Sequence, residues 1–271
     1  MSEEILKALM QLFAIIAKQD EGLGDSEREY VEVFLKQQIS AEAVADYLAL
    51  FDGYVNDDKG GGSKLTSVRD SVRILGICKK INKTLTQKQK VVVLVRLFEL
   101  VSAEGKFSEQ RMAIINTVSE VFKVEPEEFA DIEAFVLSKE LTTLQRSTIL
   151  LIHAEKHEVE HKEEELSKEI CVESLDRPIA ILRIRSEDLY FLRYVGSEDL
   201  YLNGLPIHNR RIYLFASGSS IKLPKGKPIY YTDVVSHFMA DLSLTPISYV
   251  VDDISYRFPN GALGLRNISF S

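Results

Sequence analysis

Asp20-Glu21-Gly22-Leu23-Gly24-Asp25-Ser26-Glu27 follows one apolar run, and Glu104-Gly105-Lys106-Phe107-Ser108-Glu109 follows another. The first run carries Ile5, Ala8, Leu9, Leu12, Phe13, Ile16 and Ala17 at the spacing of one helical face; the second carries Val93, Leu94, Leu97, Phe98, Leu100 and Val101. After each turn the helical spacing resumes, through Tyr30, Val31 and Phe34 in one copy and through Ile114, Ile115, Val118 and Phe122 in the other. The repeated unit is helix, acidic residue, glycine, short turn, capping serine, helix. Two such units predict a helical bundle with pseudo-twofold character.

Further helix starts are expected near Ser26, Ser40, Ser67, Thr86, Ser108 and Pro126. Thr86 with Gln89 three positions on has the form of a capping box. Pro126, the first proline of the chain, suits a first helical position, where its missing N–H costs nothing. Lys59-Gly60-Gly61-Gly62-Ser63-Lys64 lacks the spacing of a phosphate-cradling loop and reads as a flexible connection.

With the two acidic turns in place, residues 1–140 resemble the tellurite-resistance TerB family. The resemblance implies an all-α bundle and a link between the turn carboxylates and metal binding. Carried onto this chain, the candidate ligands are Asp20, Glu21, Asp25 and Glu27 in one copy and Glu104 and Glu109 in the other. Oxygen donors from two turns suit a hard divalent cation such as calcium or magnesium. Their place at helix starts equally suits capping and the helix dipole.

Residues 141–175 read as a charged connector, dense in Glu and Lys from Glu155 to Glu169. His153, His157 and His161 would share one face if this segment were helical, a spacing that could serve a metal or a proton sensor. Ser147 to Ile152 could instead be a strand leading into it.

From Cys171 onward aromatic and β-branched residues rise. A small antiparallel β module is expected over residues 176–245, with strands at Ile179–Arg185, Asp188–Leu192, Asp199–Asn203, Arg211–Phe215 and Ile229–Tyr231. Asn203-Gly204, Ser217-Gly218 and Lys225-Gly226 punctuate them. The segment Asp199 to Ile207 with the strands after it resembles the last part of a forkhead-associated (FHA) domain. That family's Gly-Arg and Ser-x-x-His loop elements are missing, so the resemblance implies a degenerate FHA-like scaffold.

Residues 246–271 read as a strand, a Pro259-Asn260-Gly261 turn and a returning strand. The order Tyr256-Arg257-Phe258-Pro259, a turn with glycine, then Leu265-Arg266-Asn267-Ile268-Ser269-Phe270 resembles the opening of an ABC ATPase domain. The resemblance places Phe258 at the aromatic that stacks on adenine. It also implies that a longer protein would use Mg-ATP to drive transport, with its ATPase domain and membrane-spanning segments in the same or a partner chain. The residues given contain no GxxxxGK[ST] loop, so this chain is expected to have no catalytic residue and not to be an enzyme.

The bulk numbers bound these readings. The 271 residues, 45% hydrophobic and 27% charged, can build more than one globular unit. A net charge of -8 argues against an extended nucleic-acid surface, though not against a local basic patch. Cys78 and Cys171 form no disulfide or zinc pattern. The acidic start and the lack of a long apolar run lead us to expect a cytoplasmic chain, associated with the inner membrane in the longer protein. The sequence thus predicts an α+β multidomain chain: helical bundle, connector, β module and terminal hairpin. Its expected role is a regulatory or interaction region. An autonomous metal-binding stress protein and a protein-recruiting β module are the alternatives.

Overall fold

The computed structural model describes residues 3–19, 23–56, 68–105, 107–144, 146–154, 168–209, 211–239 and 250–270. Seven helices come first: α1 (Glu3–Ala17), α2 (Asp25–Gln38), α3 (Ala41–Asn56), α4 (Val68–Thr84), α5 (Gln87–Glu104), α6 (Glu109–Phe122) and α7 (Pro126–Leu137). The helices begin close to the predicted starts, but Gly24 and not Ser26 caps α2, and Ser67 lies outside the described residues. Thr86 Oγ1 accepts from the Gln89 amide while Gln89 Oε1 accepts from the Thr86 amide, so both orphan donors at the head of α5 are satisfied. Pro126 opens α7. Gly105 closes α5 with a left-handed φ of 69°, a conformation that glycine adopts without a Cβ clash.

The helices that open the two repeats, α1 and α5, are the central ones. Met10, Ala14 and Ile15 are buried along with the apolar face read from the sequence, so α1 is enclosed on all sides from Leu12 to Ala17, while Glu3 and Lys7 keep its first half open to solvent on one side. Helix α5 is enclosed likewise, by Val91, Val93, Val95, Leu97 and Leu100 among others. Phe13 anchors α2 through edge-to-face contacts with Tyr30 and Phe34, at ring separations of 6.2 and 5.4 Å.

The β region forms two sheets. Strands β1 (Ile149–Ala154), β2 (Lys168–Val172), β3 (Ile179–Ile184), β4 (Leu189–Tyr194) and β7 (Ile212–Leu214) build a five-stranded sheet in the order β2-β1-β3-β4-β7. Strands β5 (Tyr201–Leu202), β6 (Leu205–Pro206), β8 (Ser220–Lys222) and β9 (Ile229–Tyr230) build a four-stranded sheet in the order β6-β5-β8-β9. Helix α8 (Tyr231–Met239) follows, then the hairpin of β10 (Val251–Arg257) and β11 (Leu263–Phe270). Asn203 and Gly204, both at positive φ, make the two-residue turn between β5 and β6.

Two expectations change here. Residues 141–175, read as a connector, contribute β1 and β2, and those two strands pair in parallel, so the sheet is not wholly antiparallel. His153 therefore lies in a strand, not on a helical face; His157 and His161 lie outside the described residues. The apolar run Ser147 to Ile152 and the β-branched content of the segment favoured the strand.

The five-stranded sheet is the middle layer. Ile149, Leu151, Ala180, Leu182 and Phe191 join the core of the helical bundle, while Leu150, Ile152, Ile181, Tyr190 and Leu192 face the second sheet and α8. Burial on both faces explains why Ile179-Ala180-Ile181-Leu182 reads as an unbroken apolar run without alternation. Each such side chain contributes about 1.5–3 kcal/mol on leaving water, which fastens the β region to the bundle. Polar contacts edge the join: Thr148 Oγ1 donates to Asp131 at 2.7 Å, and Ser186 donates to Glu128 through its amide and hydroxyl at 2.8 and 2.7 Å.

Asp176, before β3, ties that loop to the end of β4. It accepts from the Tyr194 hydroxyl and from the Ser197 amide and hydroxyl, the latter two at 2.7 and 2.9 Å. Gly196 has to be glycine, because a Cβ would strike the Tyr194 ring and the Asp176 carboxylate. Burial works against the Asp176 charge, but the hydrogen bonds from Tyr194 and Ser197 prevail and hold its carboxyl below the ordinary value. A depressed folded-state pKa gives stability that is present above the unfolded pKa and lost as pH falls through the folded one. Urea unfolding followed downward from about pH 5 should therefore show a fall in stability that Asp176→Asn flattens. An unchanged slope in the variant would remove Asp176 from the acid response.

Candidate functional site at the paired turns

The starts of α2 and α6, the helices that follow the two acidic turns of the sequence, are brought together. In α2 the third residue is Glu27; in α6 the third residue is Arg111. These equivalent positions of the two repeats meet in the interior of the bundle. Arg111 Nη1 donates to Glu27 Oε1 at 2.7 Å, with the two side chains 1% and 0% exposed. Arg111 Nη2 also reaches the carbonyls of Ala17 and Gln19, at 3.3 and 3.4 Å, where α1 ends. The guanidinium thus neutralises both a carboxylate and the negative end of the α1 dipole. Glu27 Oε2 in turn accepts from the Gly24 amide at 3.1 Å, an orphan donor at the start of α2.

Of the other candidate ligands, Asp25 and Glu109 are exposed in the first turns of α2 and α6. Glu104 ends α5; its side chain, and Asp20 and Glu21 altogether, lie outside the described residues. Among the described residues no three His, Cys, Asp or Glu side chains are grouped to hold a metal ion. His153 is buried against Glu169, with Nε2 at 3.1 Å from the carboxylate.

A second polar cluster links this end of the chain to the sheet, and the sequence reading missed it. Tyr30, on α2 just beyond Glu27, donates its hydroxyl to Glu99 Oε2 at 3.1 Å. Glu99 Oε1 accepts from the Ile212 amide at 2.7 Å, and Arg96 Nη1 donates to the Ile212 carbonyl at 2.9 Å while pairing with Glu99. Two side chains of α5 thus complete the edge of the sheet at β7, where a further strand would otherwise bond. Burial, and then the Glu99 charge, push the Tyr30 phenol well above its ordinary pKa, so it remains a donor.

At the other end of the chain, Phe258 follows β10 and stands edge-on to Tyr256, with ring centroids 5.1 Å apart at 81°. A Cβ on Gly264 would come within 2.8 Å of the Phe258 ring, so the glycine there permits a close approach of ring to strand. Ile254, Tyr256, Phe258, Leu263, Leu265 and Ile268 are each at least 40% exposed, and among the described residues β10 and β11 pair only with each other.

Residues 6–134 match the family model described as Tellurite resistance protein TerB. The chain therefore carries a TerB domain, and the helices α1 to α7 that form it are followed by the β region. No curated protein and no solved structure matches the chain. No helix among the described residues is long and apolar enough to cross a membrane.

Proposed function

We propose that this chain is the regulatory and interaction region of an ABC-type ATP-binding protein, with no ATPase activity of its own. The observation that carries the reading is the terminal hairpin. Residues 252–270 are all exposed, apolar side chains included, and only Val251 of β10 is buried. A two-stranded hairpin is marginal in water, so this one belongs against further protein. The succession of Phe258, the glycine turn and Leu265-Arg266-Asn267-Ile268-Ser269-Phe270 suits the first hairpin of an ABC nucleotide-binding domain. The TerB bundle and the FHA-like β region would then form the body through which an ion or protein partner acts on the ATPase. Sequencing the gene through codon 271 tests this. An open frame reaching a GxxxxGK[ST] loop supports it, and in the longer protein Phe258→Ala should weaken Mg-ATP binding by about 1–3 kcal/mol, the worth of a base–aromatic stack. A stop at that codon would sink the reading.

The convergence of the two acidic turns favours a second reading, a divalent-cation site in the TerB domain. Glu27 is engaged by Arg111 and the Gly24 amide, so the ligands would come from Asp20, Glu21, Asp25, Glu104 and Glu109. Calorimetric titration with calcium and with magnesium should give saturable binding that Asp20→Ala and Glu104→Ala each abolish. Heats no larger than dilution would dismiss it.

A further inference from the structure

Between Asp70 and Glu99 the sequence holds no carboxylate, while Lys79, Lys80, Lys83, Lys88 and Lys90 all fall there. The fold gathers them at one corner of the bundle. Asn82, near the end of α4, donates to the Val121 carbonyl at 2.9 Å. Gln87, the first residue of α5, donates to the carbonyls of Phe122 and Lys123 at 2.8 and 3.3 Å. The end of α4, the start of α5 and the end of α6 therefore meet, and Lys123 joins the cluster. Lys79, Lys80, Lys83, Lys88 and Lys123 are all exposed, on a chain whose net charge is -8.

The helix dipole accounts for Lys83, in the last turn of α4, but not for the rest of this concentration of charge. Lys79 and Lys83 stand four apart on α4, a spacing at which like charges repel. Lys88 lies in the first turn of α5, at the positive end of the helix dipole. Helices α2, α6 and α7 each carry acidic residues in that turn, and α5 carries none. Farther up α4, Val72 and Leu75 are exposed, at 63% and 39%. Lysines with long apolar stems beside exposed aliphatic residues are suited to the headgroup boundary of a bilayer. The exposed cations of the corner are lysines rather than the planar arginines that favour phosphodiester or carboxylate forks.

We propose that the corner made by α4, α5 and α6 docks on the anionic lipid headgroups of a membrane surface. This stands on the lysine cluster and the exposed Val72 and Leu75 of α4 and does not depend on the transport reading. Co-sedimentation of the full chain with vesicles tests it. The chain should pellet with phosphatidylcholine vesicles containing phosphatidylglycerol, remain in solution with phosphatidylcholine alone, and be released by salt. Each lysine should be worth about fivefold in partitioning, so the variant K80E/K83E/K88E should lose about a hundredfold or more. Its circular dichroism should match that of the unaltered chain, because all three side chains are exposed. Three results would overturn the proposal: no pelleting at low salt, equal pelleting with neutral vesicles (which would point to the apolar hairpin), or an undiminished charge-reversal variant. Lysine-dependent retention on polyglutamate beads without vesicle binding would also overturn it, by assigning the corner to an acidic protein partner.

Discussion

Arg111→Met should destabilise the chain by about 3–5 kcal/mol, the cost of leaving a buried charge without its partner. Glu27 is fully buried, and the guanidinium is an ionic partner at 2.7 Å. Removing it also strips the carbonyls of Ala17 and Gln19 of a donor at the end of α1. On the scale of a domain this size the melting temperature should fall by about 10 °C or more. The same pair predicts an asymmetric rescue. Glu27→Leu combined with Arg111→Met removes both charges at once, and such replacements are often neutral or better. Thermal unfolding of the two singles and the double forms a cycle. A large coupling term would identify the pair as what joins the two repeats. Single variants that each cost less than about 1 kcal/mol would mean that water or another cation reaches Glu27.

Much of the bundle was legible because its signals are local. Capping by Thr86 and Ser108, the proline at 126 and the spacing of apolar residues act within a few positions, and the helices begin where those residues stand. The strands at Ile179 and Leu189 were legible for the same reason. What was hidden depended on long-range partners. Met10, Ala14 and Ile15 lie off the apolar face of α1 and are buried only because other helices surround it. Strand β1 was one of two readings of its segment, but β2, at the end of a stretch dense in Glu and Lys, was masked by that composition, and so was its parallel pairing with β1.

The site was half legible. The repeated turns were found from sequence, but Arg111 was overlooked because the reading sought carboxylates in both copies. Superposing the repeats on their helix starts would have revealed it: the third helical residue is Glu27 in one and Arg111 in the other, opposite charges at equivalent positions. Glu99 gave no comparable signal. Apart from Arg96, one turn back, its partners are Tyr30 and the Ile212 backbone, 69 and 113 residues away, and a local Arg–Glu pair looks the same on a solvated helix.

That distance gives the Glu99 cluster its leverage, and Glu99→Ala should cost about 3 kcal/mol. The loss sums a buried amide left without an acceptor, about 1–3 kcal/mol, and a hydrogen bond from the buried Tyr30 hydroxyl, about 1 kcal/mol. Arg96, 19% exposed, would keep its bond to the Ile212 carbonyl but lose its counter-charge. Because Ile212 sits on the edge strand of the five-stranded sheet, the damage should concentrate there. Amide exchange at Ile212 to Leu214 should accelerate ahead of exchange in α1 and α5, since an edge whose bonds are broken opens locally before the core does. Tyr30→Phe should be milder, about 1 kcal/mol, because it deletes one donor and leaves the contacts of Glu99 with Ile212 and Arg96 intact. If Glu99→Ala accelerated exchange uniformly, or left β7 as protected as before, the sheet would be held to the bundle by its apolar layer and the polar contacts to α7, without help from Glu99. In that case no polar link would run from α2, past Glu99, to the edge of the sheet.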